Sequence, residues 1–182
     1  MFEVPKSAFP IREGLAVATG LGAVLPFGAY DARVQATNLV TVGNNTWDVA
    51  PWVAFTYTTP PLIAEGTEFS SKIYVNNYGT NPSTNYKTGT LVNIDFAISE
   101  HIGRWQIGAA GNYLRQIADD RRSGVVVPPD GRRAEMLSLD GVVNYDIAEA
   151  GASIKFKVRS SVFAYNTAMV TTFILGFAKK LY

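Results

Sequence analysis

The sequence predicts an all-β chain: an antiparallel up-and-down transmembrane β-barrel of about eight strands. Three observations carry that expectation. Segment after segment alternates apolar with polar or small residues at a period of two, the spacing of a strand rather than a helix. The segments run to about ten residues or more, as a tilted membrane-crossing strand requires, whereas soluble strands average about five or six. The connections alternate long and short, as extracellular loops and periplasmic turns do in outer-membrane barrels.

Composition narrows the alternatives. With 182 residues the chain reads as one domain, residues 1–182. Sixteen basic and fifteen acidic residues nearly balance, so no polybasic surface argues for a nucleic-acid partner. Charged residues make up 17%, below the roughly 25% of soluble domains. Cysteine is absent, which excludes disulfide scaffolds and thiolate metal sites. The start, MFEVPKSAFPIREG, has no charged segment leading into an apolar one and is not a signal peptide. An exported barrel needs such a peptide, so either it was removed or the chain begins inside a longer protein.

Taken in order, the first dozen residues, with Pro5 and Pro10, read as irregular or as the tail of an earlier strand. The apolar stretch at 15–30 is too short for a membrane helix of about 20 residues, and Gly20, Gly22 and Pro26 oppose helix. Its first part reads as a strand at about 15–25, with Leu15, Val17 and Leu21 outward and Ala16, Ala18, Gly20 and Gly22 inward. A polar connection ending in Gly43-Asn44-Asn45 leads to a strand at about 46–58. A proline-marked turn returns the chain to a strand at about 67–77, and the loop NYGTNPSTNYKTG precedes another at about 89–99. After a tight turn, EHIGR, come a strand at about 104–118 and the charged loop DDRRSGVVVPPDGRR, which cannot sit in hydrocarbon. Strands at about 134–147 and 152–164 flank the turn AEAG, and MVTTFILGFA forms the last.

The two faces of these strands differ. Phe55, Ile94, Phe96, Ile107, Leu139, Val143, Phe156 and Val158 fall on the apolar face and are expected outside. Trp47, Tyr57, Trp105, Tyr113 and Tyr145 lie on that face near strand ends, where interfacial rings belong. The opposite face carries Glu68, Lys72, Asp95, Asp140, Asp146, Lys155, Lys157 and Arg159, together with Trp52. Lys or Arg facing lipid near the midplane would cost about 2–4 kcal/mol each, so these residues are expected to line the lumen. There they form either a structural ladder or a constriction that selects solutes. The turn at 148–151 brings Asp140 close to opposite Arg159.

Other chemistry finds little support. His101, the single histidine, sits in a tight turn and reads as a solvated residue rather than a catalytic base. Asp119-Asp120 reads as a solvated loop before a cation site. No metal motif and no phosphate loop is present, so neither enzyme activity nor a cofactor is expected.

The runs PFGAYD, NNTWDVAPWVAFTY, GTEFSSKIYVNN and NPSTNYKTG, with the strand from Trp105 to Tyr113, resemble the MetA-pathway of phenol degradation family. The resemblance extends from about residue 15 to the last strand. Its most specific parts are the loop from Asn81 to Gly89 and the stretch from Trp47 to Pro51. The ending AKKLY departs from the family's apolar last strand, since Lys179 and Lys180 interrupt it. The resemblance implies a porin-like barrel in the bacterial outer membrane, with lipid around it and small hydrophobic or aromatic solutes passing through. It also implies that this chain is a C-terminal portion of a longer barrel. Periodicity alone does not say which face points inward, so a soluble, lipocalin-like barrel with a small hydrophobic ligand in its apolar interior remains the alternative.

Overall fold

The computed structural model describes residues 13–31, 45–61 and 63–180. Expectations for the first dozen residues and for the connection at 32–44 fall outside them. Among the described residues twelve strands follow in chain order. β1 (Gly14–Val24), β2 (Asp48–Thr58) and β3 (Thr67–Tyr78) are long. β4 (Thr80–Asn81) and β5 (Tyr86–Lys87) are two-residue strands within one loop. β6 (Leu91–Ile102) and β7 (Trp105–Gln116) are long again, and β8 (Arg121–Arg122) and β9 (Val125–Val126) are short. β10 (Glu135–Ile147), β11 (Ala152–Tyr165) and β12 (Thr171–Lys179) complete the chain, with one 3₁₀ turn at Ala148–Ala150. No described helix is long and apolar enough to cross a membrane, which says nothing of strands.

The eight long strands form one antiparallel sheet in the order β1-β2-β3-β6-β7-β10-β11-β12, so each pairs with its neighbours among the long strands. The meander expected from the alternation is therefore present. Closure is not: among the described residues β1 pairs only with β2 and β12 only with β11, leaving an edge at each end of the sheet. The short strands make a second sheet, β4-β5-β8-β9, across the end where the long connections lie. Those segments had been read as plain loops. Two-residue strands are too short to carry a period, so the pattern could not expose them.

The large sheet curls about its polar face. Arg159 on β11 interacts electrostatically with Asp95 on β6 and with Tyr74 on β3. Four strand spacings of about 4.8 Å would hold β3 and β11 roughly 19 Å apart in a flat sheet. Only curvature brings these groups into one field.

Burial is inverted relative to a water-soluble domain. Leu91 and Ala152 are the buried apolar side chains among the described residues, whereas the buried polar ones include Asn93, Asn112, Gln116, Ser138 and Asp140. Phe55, Phe96, Ile107, Leu139 and Phe156 are exposed, and they share no interior core. One irregularity breaks the alternation. In β11 the register shifts so that Leu137 opposes Phe163 while Ser138 opposes Ser161, leaving Val162 as an unpaired bulge residue.

Two tryptophans sit against glycines. The Trp52 indole lies over Gly20, where an added Cβ would stand 2.6 Å from the ring. Trp47 covers Gly79 in the same way at 2.3 Å, and Gly79 donates its N–H to the Trp47 carbonyl at 3.0 Å. Gly79→Ala is therefore expected to cost about 1–3 kcal/mol in detergent-solubilised urea unfolding. Gly22→Ala, whose Cβ meets nothing closer than 3.6 Å, serves as the matched control. Equal midpoints for the two variants would refute the close packing of Trp47.

Candidate functional site

The polar face holds every residue expected on it, in two different situations. Asp140 and Arg159 are direct partners in the β10–β11 register. The guanidinium grips the carboxylate with two bonds, Nε to Oδ1 at 2.8 Å and Nη2 to Oδ2 at 3.0 Å. Lys157, two residues earlier on the same face, reaches the same carboxylate through its ammonium. The Asp140 side chain is wholly buried, so one carboxylate serves two cations. Lys155 stands apart: its register partner is Asn144, whose amide donates to Asp146 at 3.2 Å. Lys155, Asp146 and His101 line a recess of about 450 Å³ at the end where the short turns lie.

Glu68, Lys72, Asp95 and Trp52 gather on β2, β3 and β6. Lys72 and Asp95 are register partners but make no ion pair. Asp95 takes a hydrogen bond from Asn112 at 2.8 Å, while the Lys72 ammonium sits 4.7 Å from the Trp52 ring centroid and 5.4 Å from that of Tyr74. An aromatic face attracts a cation through its quadrupole, and this alternative outcompetes the carboxylate here. Asparagines extend the network: Asn93 donates to Asn76 at 2.9 Å, and Asn76 donates to the buried Asp48. Tyr74 and Asn76 were overlooked in the sequence, although both share parity with Lys72.

Two expectations need correction. His101 is not a solvated turn residue, because β6 continues to Ile102 and places it on the polar face. Its side chain is only 18% exposed, with Nε2 3.7 Å from Glu68. Asp120 is not part of a solvated loop either. It is buried, and it accepts from the Gly89 amide at 2.8 Å, from Gln116 Nε2 at 2.7 Å and from the Tyr86 hydroxyl. Those bonds tie the small sheet to the large one. Burial first, then the bond to Asp120, pushes the Tyr86 hydroxyl up to about 12, so it stays a donor at any ordinary pH. Among the described residues no three His, Asp or Glu side chains come together to hold a metal ion.

The small sheet roofs a cavity of about 550 Å³ at the loop end, lined by Thr46 before β2 and by Asn166 and Thr167 after β11. Asp130 accepts from the Tyr165 hydroxyl at 2.7 Å and, at 3.2 Å, from Asn166, one of the lining residues. The Tyr165 bond is the main cause that holds the Asp130 carboxyl below its usual range, against a smaller opposing effect of desolvation.

Asp140→Asn is expected to cost about 1–3 kcal/mol in unfolding, because two adjacent cations lose their shared charge-assisted bonds. Unchanged stability would remove the triad from the framework. The depressed Asp130 carboxyl gives a second expectation. A carboxyl lowered in the folded state stabilises above its unfolded value and loses that contribution as pH falls through the folded one. The Asn166 amide, followed by NMR, should therefore keep its bonded shift until the pH is below the ordinary carboxylate range. Titration at or above that range would contradict the clamp.

Residues 10–175 match the protein family described as "Putative MetA-pathway of phenol degradation". No curated protein matches the chain, and no solved structure does. The match takes in all the long strands but the end of β12, together with the Asp140 triad, the Lys72 cluster and the roofed cavity. On that coverage the chain belongs to the MetA-pathway of phenol degradation family.

Proposed function

We propose that this chain is the wall of a bacterial outer-membrane pore that passes small hydrophobic or aromatic compounds. The observation that carries the reading is the inverted burial: apolar side chains point away from the curl, and polar and charged ones fill it. Such a distribution suits a wall with lipid on one side and water on the other. Strands of nine to fourteen residues match the length a tilted crossing needs. The Trp105 and Tyr145 rings, 4.6 Å apart on the outward face near strand ends, suit an interfacial belt. A soluble binding module would need an apolar interior, and the curl encloses carboxylates, amides and ammonium groups instead.

In a bilayer the β1 and β12 edges must be paired, with each other or with further strands, because unpaired backbone groups in hydrocarbon cost several kcal/mol each. Once closed, the wall encloses a lumen lined by Lys155, Lys157, Arg159, Asp140, Asp146, Glu68, Lys72, Asp95 and Trp52. The Asp140 triad narrows one side, and an aromatic solute passes against the smaller inward residues such as Ala54, Gly108 and Ala110. Membership of a family tied to phenol degradation supports the solute class. The role is transport without catalysis, and no cofactor is involved.

Arg159→Glu is expected to shift ion selectivity in planar-bilayer conductance, while Val158→Ala on the opposite face leaves it nearly unchanged. Equal effects from both, or none from Arg159→Glu in a folded pore, would remove the strip from the lumen. Leu139→Arg, at mid-strand on the apolar face, is expected to destabilise the liposome-inserted protein by about 2–4 kcal/mol. If the protein stays in the aqueous fraction on flotation with liposomes, the membrane reading fails.

A further inference from the structure

The roofed cavity at the loop end has a charge that the pore reading does not use. Of the acidic residues around it, Asp120 is engaged by Gly89, Gln116 and Tyr86, and Asp119 holds Arg133 at 2.7 Å. Asp130 is engaged by Tyr165, Asn166 and the Arg132 backbone amide. Arg121 gives its guanidinium to the Gly124 carbonyl at 2.9 Å. Arg122 and Arg132 remain, and both line the cavity with no carboxylate partner among the described residues. Arg122 stands 5.5 Å from the centroid of the Tyr86 ring, which occupies its face and leaves the N–H edge free to bond.

The rest of the lining is not that of a simple anion trap. Leu91 and Leu114 give the cavity an apolar floor, and Leu91 is one of the two buried apolar side chains described. Tyr78 and Tyr86 supply aromatic walls. A cavity of about 150 Å³ holds a benzene ring, so the 550 Å³ here takes one ring with its hydration. A bare ion would leave the floor wet, and an uncharged aromatic would leave both guanidiniums unanswered.

We propose that this cavity is a binding site for a single-ring aromatic anion, its carboxylate bridged by Arg122 and Arg132 and its ring lying on Leu91, Leu114 and Tyr86. This deepens the pore reading, on which it rests, by giving the solute a charge and a first station at the mouth. A planar guanidinium matches a carboxylate through two parallel bonds, and two such groups at one mouth also draw anions from solution.

The test is calorimetry on the detergent-solubilised full chain with three probes. Benzoate carries ring and charge, benzyl alcohol the ring alone and acetate the charge alone. Benzoate should bind with one-to-one stoichiometry, more tightly than either control, and more weakly at high salt. Arg122→Gln with Arg132→Gln should weaken benzoate by at least about tenfold, the loss expected for bonds from charged donors. Arg121→Gln removes the same charge from the neighbouring residue, on the other face of β8, and should leave binding unchanged. Both arginines are exposed, and matched urea midpoints verify that the double variant folds. Acetate or benzyl alcohol binding as well as benzoate would overturn the proposal, as would no loss in the double variant. The pore reading is scored separately by liposome insertion and conductance. Protein that inserts and conducts without binding benzoate loses only this site, and protein that binds but does not insert loses only the pore.

Discussion

The pleat of an antiparallel sheet allows a side chain two directions and no third. Everything else in this molecule depends on that constraint. Because the ladder fixes register, the side chains on one face are committed together, and a single inward lysine places its second neighbours inward with it. The Asp140 triad follows directly: Lys157 and Arg159 are two residues apart on β11, and Asp140 is opposite Arg159 on β10. The same commitment sends Phe156 and Val158 to the other face. No packing adjustment can exchange the two sets without moving the whole strand by one residue.

Curvature turns that local rule into a concave polar face. A flat sheet would leave the inward carboxylates and amides as a solvated plain. Curled, it brings Arg159 within the field of Tyr74 and Asp95, which stand on strands well separated along the sheet. Polar groups crowded on that concave face are answered by one another, as the hydrogen bonds from Asn93 to Asn76, from Asn76 to Asp48 and from Asn112 to Asp95 show. Trp52 joins in a different way. Pressed on Gly20 and facing Lys72, it serves as counter-surface for a cation rather than as filler.

The sequence made the long strands legible because eleven or more alternating residues leave little room for another period, as in β6 and β7. It made the opposition of Asp140 and Arg159 legible because the turn between their strands is short and fixes the count. Lys72 and Asp95 show where such counting stops. Register sets them opposite, yet the choice of partner was made by Asn112 and two aromatic rings from neighbouring strands. The roof at the loop end was illegible for another reason. Its strands are two residues long, and Asp120, which anchors it, takes its donors from Tyr86 and Gly89 in a different loop. His101 was misjudged by a boundary, since β6 runs through the segment that looked like a turn.

The bulge at Val162 bears on which face the last residues of β11 turn to. Below it, Arg159 and Ser161 point into the curl; beyond it, the alternation is reset, so Phe163 sits opposite Leu137 on the outer side and Tyr165 reaches Asp130. Were the same residues paired without a bulge, strict alternation would carry both rings to the inner side, on the face of Arg159 and Ser161. A single unpaired position thus decides which face two aromatic rings turn to. The sidedness of this end of the sheet is set by counting residues as much as by choosing them, and removing Val162 itself would straighten the strand while leaving Phe163 on the outer face.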